Sequence, residues 1–222
     1  MDDRAAHRRG RFVTLEGGEG AGKSTHAALL AEWLRGRGLD VVLTREPGGS
    51  PQGEALRGLL VTGDPGRWDP LSETLLHYAA RREHLRTLIR PALARGAWVV
   101  CDRFADSTMA YQHFGQGVPS AFVEALHATV VAGEGPDLTL LLDLDPRAGF
   151  ARIAGRRTDG GRYEAMDRAF HERVHAGFRA IAAADAARCV TVAADADPQT
   201  VQADLRAVVE ARLNPPDGPR RG

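Results

Sequence analysis

Lysine is almost missing from this chain of 222 residues: lysine and arginine together number 29, and Lys23 is the only lysine. That scarcity excludes a GTP-dependent switch, whose Asn-Lys-x-Asp segment for reading guanine would need a second lysine. Cysteine is scarce too. Cys101 and Cys189 lie in apolar, strand-like runs with no metal-ligand spacing, which excludes a disulfide framework or zinc site and points to reduced core thiols in a cytoplasmic protein. No apolar run is long enough to span a bilayer, and Met1 to Gly10 is polar and basic without a signal-peptide core. Charge of either sign is not in excess: the formal net charge is +0 and the isoelectric point about 7.1. With no global field to recruit nucleic acid or an acidic membrane, an anionic ligand must be held by locally placed cations.

The one lysine stands in a glycine-rich segment, Gly17-Gly18-Glu19-Gly20-Ala21-Gly22-Lys23-Ser24-Thr25. This Gly-x-x-x-x-Gly-Lys-Ser pattern turns successive backbone N–H groups toward a polyphosphate, and the helix that follows adds the positive end of its dipole. A compact ammonium at position 23 fits between phosphate oxygens where a planar guanidinium would not. Ser24 offers a hydroxyl to Mg2+. The context is the required one: residues 11–16 alternate like a strand, and from Lys23 a helix runs through Arg37 with Ala27, Leu30, Ala31 and Leu34 on one face. A nucleoside triphosphate site follows.

Strand and helix signals alternate along the whole chain. Strands are expected at residues 11–16, 41–44, 97–101, 138–142 and 189–192, and the all-apolar ones call for a sheet covered on both faces. Helices are expected at 51–61, 71–94 with an interruption near Pro91, from about Asp106, 120–131, after Pro146, and 198–213. A further long helix carries Met166, Phe170, Val174, Phe178 and Ile181 on one face. The pattern specifies an α/β fold: a three-layer αβα arrangement around a five-stranded parallel sheet, with the ligand crevice at the carboxyl ends of the strands. One domain is expected over residues 11–213, between flexible segments at 1–10 and 214–222. Glu16, Arg45-Glu46 and Asp102-Arg103 all stand at strand carboxyl ends, so they should meet Lys23 in one crevice.

Together these segments resemble bacterial thymidylate kinases, a family of P-loop nucleoside monophosphate kinases, over about Arg11 to Leu213. The resemblance is carried by Glu16 to Thr25, Thr44-Arg45-Glu46-Pro47-Gly48-Gly49, Tyr78 to Leu85, Cys101-Asp102-Arg103-Phe104 through Tyr111-Gln112, Pro136 to Thr139, and Arg162-Tyr163-Glu164. It implies transfer of the γ-phosphoryl group of ATP to dTMP, giving dTDP and ADP, in the supply of dTTP for DNA replication. By resemblance, Asp102 joins Ser24 at the metal, Arg103 reaches the acceptor phosphate and migrating group, and Arg81 grips the monophosphate. Ser107, Thr108, Tyr111 and Gln112 match the thymidine-reading segment, with the Tyr111 ring crowding a ribose 2′-hydroxyl, while Glu46 and Arg57 line the nucleoside pocket. His77 stands where the family usually has a phenylalanine stacked on thymine. Glu19 faces either the nucleotide sugar or the metal.

The segment at about 154–163, with Arg156, Arg157 and Arg162 around a Thr-Asp-Gly-Gly turn, matches an arginine-rich lid that closes over ATP. No arginine lies among Gly18 to Ala21, so the catalytic arginine is expected from the lid, with Arg156 and Arg162 as candidates. The family usually ends its lid Asp-Arg-x-Glu, whereas this chain reads Gly161-Arg162-Tyr163-Glu164. The resemblance also implies a homodimer. The rival readings are another nucleoside monophosphate or deoxynucleoside kinase of the same fold, and a nucleotide-binding module without kinase activity.

Overall fold

The computed structural model describes residues 9–154 and 161–215. Five strands form one parallel sheet: β1 (Phe12–Glu16), β2 (Val41–Arg45), β3 (Trp98–Asp102), β4 (Leu138–Asp143) and β5 (Cys189–Ala193), in the order β2-β3-β1-β4-β5. Leu15 pairs with Asp102, Asp102 with Arg45, and Glu16 with Leu141. The register brings Glu16, Arg45 and Asp102 to the same edge, where β1, flanked by β3 and β4, marks the switch in strand order and opens the crevice.

Both sheet faces are covered, as the all-apolar strands require. On one, α1 (Lys23–Gly36) and α10 (Pro198–Leu213) pack Ala27, Leu30, Ala31, Leu34, Val201, Leu205 and Val209 against Val13, Leu15, Val100 and Leu140. Each such leucine, withdrawn fully from water, contributes roughly 1.5–3 kcal/mol. The other face is built from α3 (Pro70–His84), α4 (Arg90–Ala94), α5 (Ala105–Thr108) and α9 (Arg168–Ala184), which bury Leu85, Ile89, Phe104, Phe170, Val174 and Phe178. α2 (Pro51–Val61), α6 (Ser120–Val130), α7 (Pro146–Ile153) and the single turn α8 (Gly161–Glu164) complete the chain. Cys101 and Cys189 are free and buried. Among the described residues no helix is long and apolar enough to cross a membrane.

The structure departs from the expected boundaries for local reasons. The region 71–94 is not broken at Pro91. It widens into a π turn at Leu85–Ile89, where Arg90 N–H donates to Leu85 C=O, and Pro91 enters the first turn of α4, where no N–H is needed. A second π turn, Met109–Gly115, extends α5. Met166 lies outside α9, because the Asp167 side chain caps that helix by accepting from Phe170 N–H at 2.7 Å. Gly10, expected in a flexible segment, is packed: its N–H donates to Leu93 C=O at 2.8 Å, and a Cβ on it would collide with the Ala97 carbonyl.

Candidate active site

The glycine loop begins where β1 ends and is sculpted by backbone angles that only glycine adopts freely. Gly20 and Gly22 have φ of 72° and 87°. Gly20 also lies so close to Gly149 of α7 that a Cβ would stand 2.1 Å from the Gly149 carbonyl oxygen. The loop is therefore clamped backbone-to-backbone against α7, a contact spanning 129 positions that no local pattern announces. Lys23 is 7% exposed, and its Nζ donates to Gly18 C=O at 2.7 Å. Burial, then the neighbouring Arg103 guanidinium, pulls the Lys23 ammonium down to about 8, against the pull of Glu19 and Asp102. A polyphosphate between these cations would restore the charge.

Ser24 Oγ donates to Asp102 Oδ2, and Asp102 Oδ1 is a buried oxygen with no hydrogen-bond partner among the described residues. A hydroxyl beside an orphaned carboxylate oxygen, at the mouth of a phosphate loop, fits the hard oxygen donors that Mg2+ takes from protein when phosphates and waters supply the rest. Among the described residues no cluster of three or more His, Cys, Asp or Glu side chains forms a self-sufficient metal cage.

Arg103 follows in the left-handed region, φ 69°, a conformation costing an L-residue roughly 1–2 kcal/mol. Glu16 helps to hold that turn: this buried side chain accepts from Phe104 N–H at 2.7 Å and from Ser107 Oγ at 2.6 Å. Burial, with Asp106 adding to it, pushes the Glu16 carboxyl up to about 8. The turn sends the Arg103 guanidinium back over the glycine loop, where it donates to Gly17 C=O (3.0 Å), Ser107 Oγ (3.2 Å), Glu19 Oε1 (2.8 Å) and Tyr111 OH (3.0 Å). Tyr111 OH donates to the same Glu19 oxygen at 2.7 Å. Burial alone would raise Glu19, but Arg103 and Lys23 overcome it and hold the carboxyl at about 2.

The far wall comes from α3. Arg81 is 1% exposed and donates from Nε to Glu46 (2.8 Å) and from Nη2 to Thr108 Oγ1 (2.9 Å) and Phe104 C=O (3.2 Å), leaving Nη1 a buried donor without a partner among the described residues. Glu46 also takes His84 Nδ1 at 3.0 Å. One turn before Arg81, His77 Nε2 lies 2.8 Å from Tyr163 OH. Burial, with Arg81 and Arg162 behind it, lowers the His77 imidazole to about 3, so it is neutral. Arg57 donates to Pro47 C=O at 2.9 Å.

A cavity of about 340 Å³ joins the two walls. Its lining includes Glu46, Arg57, His77, Arg81, Arg103, Ser107, Thr108, Tyr111 and Gln112, all the residues singled out from the sequence for the acceptor, together with Glu19 and Ser24. Of the two lid candidates, only Arg162 is among the described residues. Arg156 lies outside the described residues. Arg162 is buried away from the loop, donating to Leu60, Asp64 and Pro65 carbonyls and to Glu73, because a fully enclosed guanidinium must satisfy its donors locally. Three contributors escaped the sequence reading: Glu73, Gly149 and the ring of Tyr163. Glu73 stands between Ser72 and Thr74 in the first turn of α3, where an acid is ordinary, so no local signal marks it as buried.

The sequence model of the Thymidylate kinase family matches residues 15–205. The chain is 52% identical over 204 residues to the thymidylate kinase of Caulobacter vibrioides, covering 92% of this chain and 98% of that protein. It is 49% identical over 207 residues to that of Chromohalobacter salexigens, covering 92% and 97%. The crystal structure of thymidylate kinase from Ehrlichia chaffeensis superposes with a TM-score of 0.73 at 36% identity, covering 91% of this chain and 99% of that one.

Proposed function

This chain belongs to the thymidylate kinase family and is an ATP-dependent phosphotransferase that converts dTMP to dTDP, and on that premise we propose how its residues divide the work. The observation that carries the assignment is the single cavity in which Ser24 and Glu19 of the phosphate loop meet the α3 and α5 side chains. The donor end comprises Gly17, Gly18, Glu19, Gly20, Ala21, Gly22, Lys23, Ser24 and Thr25: backbone N–H groups cradle the ATP phosphates, and the Lys23 ammonium lies between β and γ oxygens. Ser24 and Asp102 would hold Mg2+, which would supply neutralisation of phosphate charge. The acceptor is already an anionic oxygen, so no general base is needed. Positioning and charge neutralisation do the chemistry. Arg103, arched over Gly17, holds the acceptor phosphate beside the migrating group.

The geometry favours a different task for Arg81 than the phosphate grip implied by resemblance. Its guanidinium is fastened to Glu46 and Thr108, and Thr108 precedes Gln112 by one turn, so its free Nη1 belongs with the base-reading side chains. Arg103 is the arginine on the phosphate side. Arg81, Thr108 and Gln112 meet the polar edge of thymine, His77 flanks its ring, Tyr111 blocks a 2′-hydroxyl, and Glu46 and Arg57 shape the remaining wall. Arg162 anchors the lid's end. The exposed stripe of Leu71 and Leu75 on α3, beside Leu59 of α2, is 39–49% exposed and supports a homodimer through this face. Free buried thiols suit a cytoplasmic setting.

The test is ADP formation from ATP with dTMP, dUMP, dGMP or thymidine as acceptor. dTMP should be preferred; thymidine as the best acceptor would overturn the assignment, as would no ADP with any of them.

A further inference from the structure

Behind the base pocket, Glu73 of α3 is completely buried, and it is surrounded by donors only. Its Oε2 accepts from Arg162, while Oε1 accepts from Gln112 Nε2 (2.7 Å), Tyr163 OH (2.7 Å) and Gln116 Nε2 (3.0 Å). A carboxylate cannot donate, so each neighbour must turn a hydrogen toward it. For Gln112 this decides which end of the amide faces which way: the NH2 is committed to Glu73, and Oε1, which has no partner among the described residues, is left for the cavity that Gln112 lines. For Tyr163 it sends the hydroxyl hydrogen to Glu73, so the phenol oxygen must accept from His77. The neutral His77 ring therefore carries its hydrogen on Nε2 and keeps a lone pair on Nδ1.

We propose that Glu73 is a positioning residue for base selection, setting the hydrogen-bond polarity of the pocket by fixing Gln112, and His77 through Tyr163, as acceptors. This inference rests on Gln112 facing the base. An acceptor at that position matches the N3–H of thymine. It opposes the N3 lone pair of cytosine, and a mismatched base leaves two lone pairs facing each other in a buried site. Glu73 touches no substrate. It acts by removing the alternative amide orientation, which by shape alone would fit equally well.

The informative acceptor is 5-methyl-dCMP, which keeps the methyl group and sugar of dTMP but reverses the donor and acceptor at N3 and C4. In Glu73→Gln, Arg162 still demands an oxygen, so the new amide must turn its NH2 toward Gln112. Gln112 then flips, presenting its own NH2 to the cavity. The ratio of kcat/KM for 5-methyl-dCMP to that for dTMP should rise at least roughly tenfold over the unmodified enzyme. A fall of equal size for both nucleotides, leaving the ratio unchanged, would overturn the inference and reduce Glu73 to a pin for α8. Gln112→Ala separates the two levels. If it leaves the ratio unchanged, Gln112 does not read the base, and the base-reading assignment fails along with the inference; if it shifts the ratio while Glu73→Gln does not, the inference alone fails. Should Glu73→Gln not fold, the unmodified protein decides. The Gln112 side-chain NH2 protons, identified by NMR as those absent from Gln112→Ala, should exchange with solvent at least tenfold more slowly than those of exposed Gln199. Equal exchange would overturn the bond to Glu73.

Discussion

The two ends of the cavity are built on opposite principles. At the donor end, nine consecutive residues, Gly17 to Thr25, present backbone N–H groups and one ammonium, and the binding geometry is a property of a short stretch of chain. At the acceptor end, side chains from residues 46 to 163 are assembled around two buried carboxylates. Glu46 gathers Arg81 and His84, and Glu73 gathers Gln112, Tyr163 and Arg162. A phosphate is the same on every nucleotide, so backbone donors suffice to hold it. A base must be told from other bases, and that takes polar side chains whose orientation is enforced from behind.

Four substitutions break or sharpen this contrast. The largest effect is expected from Glu46→Ala, which strands the Arg81 guanidinium inside the protein; removing one partner of a buried pair costs about 3–5 kcal/mol, read as a fall in urea-unfolding free energy. A loss below 1 kcal/mol would mean that Arg81 finds other acceptors and that the hub is not structural. Next, Lys23→Arg should leave unfolding almost unchanged yet lower kcat by about 3 kcal/mol, more than 10²-fold, since the contribution is electrostatic and local. Near-normal turnover would show the lone lysine to be accidental. The two variants thus separate an acceptor end that holds the fold from a donor end that does not.

Glu19, which belongs to the loop but is fastened to Arg103 and Tyr111, tests where the boundary falls. Its carboxyl is held at about 2 in the folded protein, below the ordinary value of 4.5. The stabilisation is therefore present above pH 4.5 and is lost as pH falls from 4.5 toward 2. Glu19→Gln should flatten the acid limb of the stability profile over that window by about 2 kcal/mol, the full shift being discounted for partial exposure. An unchanged limb would place the Arg103 contact outside the folding balance. The smallest effect is expected from His77→Phe: the lost hydrogen bond to Tyr163 and the gained aromatic area each amount to about 1 kcal/mol and oppose one another. KM for dTMP should stay within about threefold, and a large rise would show that the imidazole makes a polar contact with the nucleotide.

The donor end was legible residue by residue because its chemistry follows from neighbours in sequence. A strand, a glycine loop and a helix in that order leave little freedom for Lys23 or Ser24. The five strands were equally plain, since short apolar-rich runs between helical segments, such as Ala-Trp-Val-Val-Cys at 97–101, have one stable use in such a chain. The acceptor end was legible only as a set of names. Resemblance brought His77, Arg81, Thr108 and Gln112 together and put Arg162 in the lid as a candidate catalyst, but gave no sign that Glu46 holds Arg81 or that Glu73 holds Arg162. Glu73 and Arg162 stand 89 positions apart, and no periodicity marks either as buried. Nor does any local signal pair Gly20 with Gly149, although their contact fixes how the loop sits on α7.

By itself the sequence determined the parallel sheet, the phosphate loop and the chemical class of the ligand, because periodicity and backbone conformation act over a few residues and are written in order. Tertiary structure decided which partners each arginine meets: Arg103 the Gly17 carbonyl and Glu19, Arg81 Glu46 and Thr108, and Arg162 Glu73. A guanidinium is the same group in all three places, and only the acceptors that long-range packing brings to it settle what it does.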